Sequence, residues 1–470
     1  MEAFLSKEEF KHKLIQSFEN NRKVICKNDT PLITKIRNKA LETFKELGLP
    51  DQSLERWRHT DLKKPLSYEY IHPFKPIDED VDVDTLLQCE VPDFETHLVS
   101  LLNGWFAPKQ KQLIVFPDGT IIGSLAIAMI EHPKLVEDSF SKYDNYRRNG
   151  LDALNTAFAQ DGVFIYVPDN VEVKNTIQMV NMINQDENIF VQNRNLIILG
   201  KNSRLTLVHC DDSLSYGRSF TNSVTEVMLA ENSFIDHYKL QNINDQSSLI
   251  NSTYFHMDDH SELSTNAIVL NGGLIRNDTH VKINGQGCKA NVFGLYLVDK
   301  NQHVDNQVYV DHLKPNSTSD ELFKGIIDDQ AKAVFNGHVL VHRDAQRTNA
   351  NQRNKNILLT DKAIINTKPF LEIYADDVKC SHGATVGQLN EDALFYIRSR
   401  GLSEDNARML LMYAFAAEVI NKISIDALRF RIDDLVKKRL RGELSICDQC
   451  VLNCRTKENI VSFDIDMSKI

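Results

Sequence analysis

The sequence predicts a mainly β protein, a stacked β-solenoid core with helical regions at both ends. Three observations lead there. First, six times the chain places a tight polar turn, ending in a small residue, between two short strands. The turns are Gly200-Lys-Asn-Ser203, Ala230-Glu-Asn-Ser233, Asp258-Asp-His-Ser261, Gly285-Gln-Gly-Cys288, Asp328-Asp-Gln-Ala331 and Thr360-Asp-Lys-Ala363. Their last residues lie 30, 28, 27, 43 and 32 positions apart, so the fourth interval reads as an insertion in a regular period. Second, the linkers 211–222 and 271–278 are short and polar with no helical period, where a βαβ chain needs a crossover helix. Third, amphipathic helical patterns are confined to the ends. Regular short strands suit a β-sandwich too, which makes it the rival fold. The expected regions are 1–100 helical, 101–160 mixed, 161–400 solenoid, and 401–470 helical with a cysteine-containing tail.

The elements follow in order. Ser6-Lys-Glu-Glu9 is a capping box, with Leu5 and Phe10 placed for a hydrophobic staple. Phe10, Leu14 and Phe18 then share one helical face. A second helix starts at Thr30 with Pro31 in its first turn, carries Ile33, Ile36, Ala40, Phe44 and Leu47 inward, and stops at Gly48 and Pro50. Residues 98–158 show no single period. In the solenoid each coil buries its apolar face against its neighbours, and small residues fit the corners. After it, Ser403-Glu-Asp405 opens a helix with an N-cap and acids in the first turn. Met409, Met412, Tyr413, Ala416 and Ile420 share its face. A last helix after Ser424 aligns Leu428, Ile432, Leu435, Val436 and Leu440 and ends in a basic turn before Gly442. These two helices are expected to cap the solenoid or, with a bare outer face, to dock a partner.

Bulk properties remove whole classes of function. The net charge of −11 over 470 residues lacks the basic face that nucleic acids or anionic membranes require. The N-terminus has no signal-peptide layout, and the longest apolar run, 409–417, is too short to span a bilayer. Five of the eight cysteines are scattered, as in reduced thiols, so a cytoplasmic protein is expected.

Chemistry concentrates in residues 376–387, Asp-Asp-Val-Lys-Cys-Ser-His-Gly-Ala-Thr-Val-Gly. On a strand, Cys380 and His382 point to the same side, a thiol and an imidazole about 7 Å apart. Both are metal-ligand types. Residue type alone also fits a buried thiol beside a hydrogen-bonded core histidine. Two ligands cannot close a metal site, so further ones must come from elsewhere or from another chain.

Other motifs carry less. Cys447-Asp-Gln-Cys450-Val-Leu-Asn-Cys454 has a Cys-x-x-Cys half suited to metal or redox chemistry, without a fourth ligand nearby; surface thiols in a tail are the plainer reading. His209, His237, His256, His280, His303, His312, His338 and His342 punctuate the strands and read as satisfied polar or core groups. Gly285-Gln-Gly-Cys-Lys-Ala290 matches a loose dinucleotide fingerprint, but a strand rather than a helix follows it. No Walker A or nucleophile-elbow sequence occurs, so no nucleotide is expected on this chain. The acidic pairs Asp328-Asp329 and Asp376-Asp377 would point to opposite faces of a strand.

One stretch resembles a known family. Leu322-Phe-Lys-Gly325, Val334-Phe-Asn-Gly337, Asp344-Ala-Gln346, Asn366-Thr-Lys-Pro369, the long run from Leu371 to Gly387 and Arg398-Ser-Arg-Gly401 are similar to the SufD family, subunits of the SufB–SufC–SufD iron–sulfur cluster assembly complex. Glu55-Arg-Trp-Arg-His-Thr60 and Asn103-Gly-Trp-Phe-Ala-Pro108 resemble it more loosely. The resemblance implies a right-handed parallel β-helix and a non-catalytic scaffold. It implies a heterodimer with SufB, ATP hydrolysis by SufC bound at the C-terminal helices, and a transient iron–sulfur cluster shared with SufB at the interface. It assigns cluster binding to His382, with Cys380 beside it, and is silent on Cys447, Cys450 and Cys454. A homodimer is expected when the chain is isolated, through the edge SufB would cover. The alternatives are a SufB-like paralogue, a β-helix polysaccharide lyase or hydrolase, and a purely structural binding module.

Overall fold

At one corner of each coil a single residue turns the chain with a left-handed backbone. Asn170, Asn202, Asn232, His260, Gly287, Asn316 and Arg347 all have φ between 56 and 67°. Asparagine tolerates that region, and glycine has no side chain to clash. Each of these residues sends its N–H to a carbonyl in the next coil, as from Asn232 to Asp259 at 3.0 Å and from His260 to Gln286 at 2.8 Å. The small residue that follows turns its hydroxyl back on the corner. Ser203, Ser233 and Ser261 Oγ donate to the carbonyls of Gly200, Ala230 and Asp258, each at 2.7 Å. Serine is therefore selected for a hydrogen bond as well as for size.

The computed structural model describes residues 6–77, 96–107, 109–143 and 145–441. Between these corners run strands of mostly ten residues, which stack into two ten-stranded sheets. The chain alternates between the sheets, so each strand pairs in parallel with the strand one coil before it. The first sheet ends with Lys332–Val341 and Ile364–Ile373, the second with Asn349–Leu358 and Lys379–Gly387. About eight coils form the expected mainly β solenoid between N-terminal and C-terminal helices. Its interior is a continuous core that includes Ile197, Leu207, Phe255, Val281, Val310 and Phe335.

Two expectations about the coils need correction. The long fourth interval holds no insertion. From Ile177↔Leu207 onward, register offsets along the second sheet stay between 27 and 31 residues, through Glu262↔Lys289, Lys289↔Thr318 and Thr318↔Asn349. Asp328-Asp-Gln-Ala331 and Thr360-Asp-Lys-Ala363 belong to the opposite corner, and the missing member of the first series ends at Ser317. Likewise the linkers 211–222 and 271–278 shrink to loops 214–218 and 272–273. Their other polar residues lie in strands because partners meet them there: Asp211 faces Lys239 at 2.7 Å, and Asn222 Nδ2 donates to the Leu151 carbonyl at 2.8 Å.

Helices cover both outer faces. The capping box at Ser6 and the Thr30–Pro31 start are present, opening helices Lys7–Ile25 and Pro31–Leu47. Phe10, Leu14, Phe18 and Phe44 from these helices pack on Phe190, Phe220 and Ile250 of the first sheet. Arg37 is buried; it pairs with Asp29 at 2.8 Å and donates to the carbonyls of Thr156, Ala157 and Ala159 at the end of helix Gly150–Phe158. The C-terminal helices Glu404–Ile420 and Asp426–Leu440 do not cap the solenoid end. They lie on the outer face of the second sheet, where Met412, Ala416, Ile420, Leu428 and Ile432 cover Tyr238, Leu240, Leu270 and Leu295. That face is apolar and would otherwise meet water, so burial of the helices' stripe outweighs any gain at the coil end. Among the described residues no helix is long and apolar enough to cross a membrane.

Candidate functional site

The two ends of the solenoid differ. At the start, the sheets finish in the short antiparallel strands Trp105–Phe106 and Leu113–Val115. At the finish, Ile364–Ile373 and Lys379–Gly387 each pair on one side only. The rim they make is apolar and open: Ile364, Phe370, Ile373, Tyr374 and Val386 are exposed. An unpaired edge with exposed large side chains is a template for another chain.

The corner before the last strand is stitched to the coil below. Asp377 O accepts from Arg347 N at 2.6 Å, and Asp377 N donates to Gln346 Oε1 at 2.9 Å. The strand then enters in fixed register, Cys380 over Ala350 and His382 over Gln352. Parallel neighbours share a face, so both side chains lie on the inward side. Cys380 is half-buried and packs on the interior core. Burial holds its thiol above the ordinary cysteine value, opposed by a backbone hydrogen bond with Ala350. His382 is exposed, as are Gly383 and Gly387, where a Cβ would meet nothing within 4 Å. Among the described residues no three His, Cys, Asp or Glu side chains come together as a metal site. Cys447, Cys450 and Cys454 lie outside the described residues.

Beneath this rim the interior turns polar, which sequence reading missed. Glu321 lies one coil below Gln352 in the same column. Gln352 Nε2 donates to Glu321 Oε2 at 2.7 Å. Burial raises the Glu321 carboxyl to about 7, against the lowering effect of the Gln352 bond. Alongside, Tyr296 Oη donates to Asn356 Oδ1 at 2.6 Å, Asn354 Nδ2 donates to Tyr296 Oη at 3.1 Å, and Thr367 Oγ1 donates to Asn354 Oδ1 at 2.8 Å. Gly325 and Gly337 make room, since a Cβ at either would strike the Tyr296 ring or the Gln352 amide. The one sequence signal was the polar run 351–356 within a strand, and it becomes legible only once alternate residues are known to point inward.

The histidines elsewhere are packing and hydrogen-bonding groups. His209 Nε2 sits 2.7 Å from Lys239 Nζ and 2.9 Å from Asn181 Nδ2. Burial, then the Lys239 charge, pushes His209 well down and His237 to about 3. His312 bonds Ser319 Oγ at 3.0 Å, and His256 stacks on Tyr143. His338 and His342 face Glu372 and Asp311 at 3.2 and 2.8 Å on the outer surface. The loosely matched segment 55–60 locks the N-terminal layer to the solenoid. Trp57 lies 3.7 Å from the buried Arg276 guanidinium, and Thr60 Oγ1 donates to Asp305 at 2.5 Å.

Comparison with known proteins agrees with this architecture. The profile described as the SUF system FeS cluster assembly, SufBD core domain, matches residues 181–415, and the SufBD protein N-terminal region matches residues 8–179. A Synechocystis iron–sulfur cluster assembly SufBD family protein is 30% identical over 439 residues, covering 91% of this chain and 95% of its own length. SufD of Escherichia coli is 32% identical over 249 residues, 53% of this chain and 59% of that protein. SufD of Bacillus subtilis is 26% identical over 430 residues, covering 87% and 94%. With both halves of the chain matched, and an open-ended solenoid between two helical layers, the chain belongs to the SufBD family of iron–sulfur cluster assembly proteins.

Proposed function

We propose that the chain is a SufD-type scaffold subunit whose open solenoid end pairs with a SufB-type subunit, and that His382, with Cys380 beside it, contributes ligands to an iron–sulfur cluster built at that junction. The observation that carries this is the last coil, where one unpaired, apolar-rimmed edge bears a thiol and an imidazole on one face with room above them. The cluster is cargo, held briefly and passed on. A neutral imidazole binds iron without losing a proton, whereas Cys380 must first be deprotonated against the effect of its burial. His382 is therefore the first ligand and Cys380 the second.

The rest of the reading concerns partners. The C-terminal helices dock a SufC-type ATPase, which hydrolyses the ATP; the chain itself binds no nucleotide and catalyses no reaction. Their inner stripe is used on the second sheet, while Phe430 stands 77% exposed on the outside, as a docking residue would. The complex works in the cytoplasm. Purification of the complex with His382→Ala and anaerobic reconstitution with iron and sulfide tests the proposal. Loss of the cluster is expected, and undiminished assembly in cells and in the purified complex overturns the ligand role.

A further inference from the structure

Inside the last three coils lies a polar pair that the fold does not require. Glu321, Gln352 and His382 occupy one inward column in direct register. The next position down is Val292, and the neighbouring rungs are Ser319, Ala350 and Cys380 on one side and Phe323 and Asn354 on the other. Glu321 and Gln352 have no exposed surface. Each nonetheless keeps one oxygen, Glu321 Oε1 and Gln352 Oε1, without a partner among the described residues. Burying an unpartnered acceptor is costly, and two in contact bring no packing that a pair of leucines would not. Gly337 opposite is needed to admit them: a Cβ there would stand 2.2 Å from Gln352 Nε2.

We propose that Glu321 and Gln352 are positioning residues for His382, with Glu321 fixing the Gln352 amide so that Gln352 Oε1 accepts a ring N–H of His382. That bond would set the tautomer and leave the second ring nitrogen facing the open end. Histidines that bind metal usually donate their other N–H in this way. Ladder neighbours stand about 4.8 Å apart, within reach of a glutamine amide. In the chain alone the His382 ring is exposed and makes no hydrogen bond to the described residues. The bond forms when a partner covers the end and removes the competing water. This inference rests on the reading of His382 as a cluster ligand.

The test uses the complex with its SufB-type and SufC-type partners, reconstituted anaerobically, and compares Gln352→Leu, Gln352→Glu and His382→Ala. The readouts are the rate of iron loss to a chelator and the nitrogen hyperfine coupling of the reduced cluster. Gln352→Leu is expected to speed iron loss about 10–100-fold and shift the coupling, and Gln352→Glu, which keeps an acceptor but loses the amide donor to Glu321, to restore part of each. Wild-type loss and coupling in Gln352→Leu, with no cluster formed in His382→Ala, overturn the positioning role and leave the ligand reading intact. An unaffected His382→Ala complex overturns both. Should Gln352→Leu fail to fold, Glu321→Gln frees the amide to turn while keeping volume. Faster loss then supports the proposal, and unchanged loss overturns it.

Discussion

Replacing Arg276 by methionine tests how the N-terminal layer is held. Arg276 is buried and bonds Asp278 through Nε at 2.8 Å and Nη2 at 2.9 Å, Asp305 through Nη1 at 2.5 Å, and the Arg56 carbonyl at 2.8 Å. Trp57 stacks over the guanidinium. Methionine fills much of the volume but strands two buried carboxylates, of which Asp305 keeps bonds from Thr60 and Gln307. Breaking a buried ion pair from one side costs about 3–5 kcal/mol, because the orphaned charge stays behind. The solenoid ladder passes through position 276 by backbone bonds alone, so the cost falls on the contact with residues 55–60. Hydrogen exchange over 50–66 should accelerate by about two to three and a half powers of ten, one for each 1.4 kcal/mol. Peptides from Lys332–Val341 should be unchanged. Adding Asp278→Asn removes one stranded charge and should restore about a fifth to a third of the lost protection on a logarithmic scale, roughly 1 kcal/mol. Less than a threefold change over 50–66, or equal acceleration in every coil, would refute the claim that this hub is a local latch.

Three further outcomes are expected. Burial raises the Asp152 carboxyl to about 6, against hydrogen bonds from Tyr254 and Ser252. Its folded value lies above the unfolded one, so its contribution is full below about pH 4 and is lost as pH rises through 6, on the order of 3 kcal/mol in all. Asp152→Asn should therefore gain melting temperature relative to the parent at pH 8 and lose that advantage at pH 4. Lys324 Nζ donates to the Phe415 carbonyl at 2.8 Å and pairs with Glu418, which is 38% exposed. Lys324→Met should loosen helix Glu404–Ile420 by about 1–2 kcal/mol after allowance for that exposure, read as faster proteolysis within 404–440 with the coils intact. Ser233→Ala removes one corner hydroxyl bond and should cost about 1 kcal/mol, read as a small drop in melting temperature with no change in fold.

Local signals in the sequence matched local structure. Ser6 with Glu9 and Thr30 with Pro31 placed two helices because capping is settled within four residues. Corner serines announced the coils for the same reason. The phase slipped at Ala331 because the opposite corner uses a turn of the same composition, and only pairing in space tells the two apart. Cys380 and His382 were legible as a same-face pair from strand alternation. Glu321 beneath Gln352, and Arg276 beneath Trp57, were not, since their partners lie 31 and more than 200 residues away in sequence. Nor did composition reveal that the helices after Ser403 would choose a sheet face over the coil end. That choice depends on the apolar area two distant segments expose to each other.

The unequal ends of the solenoid also limit how large an assembly can grow. A stack of coils open at both ends would add units without limit, as cross-β fibrils do. Here one end closes in two-residue and three-residue antiparallel strands, whereas the other presents edge strands of ten and nine residues. A body with a single adhesive end can take one neighbour and then has nothing left to offer. If the proposed pairing joins two such ends, the pair is finished, with its chemistry at the middle and chain termination built into the geometry.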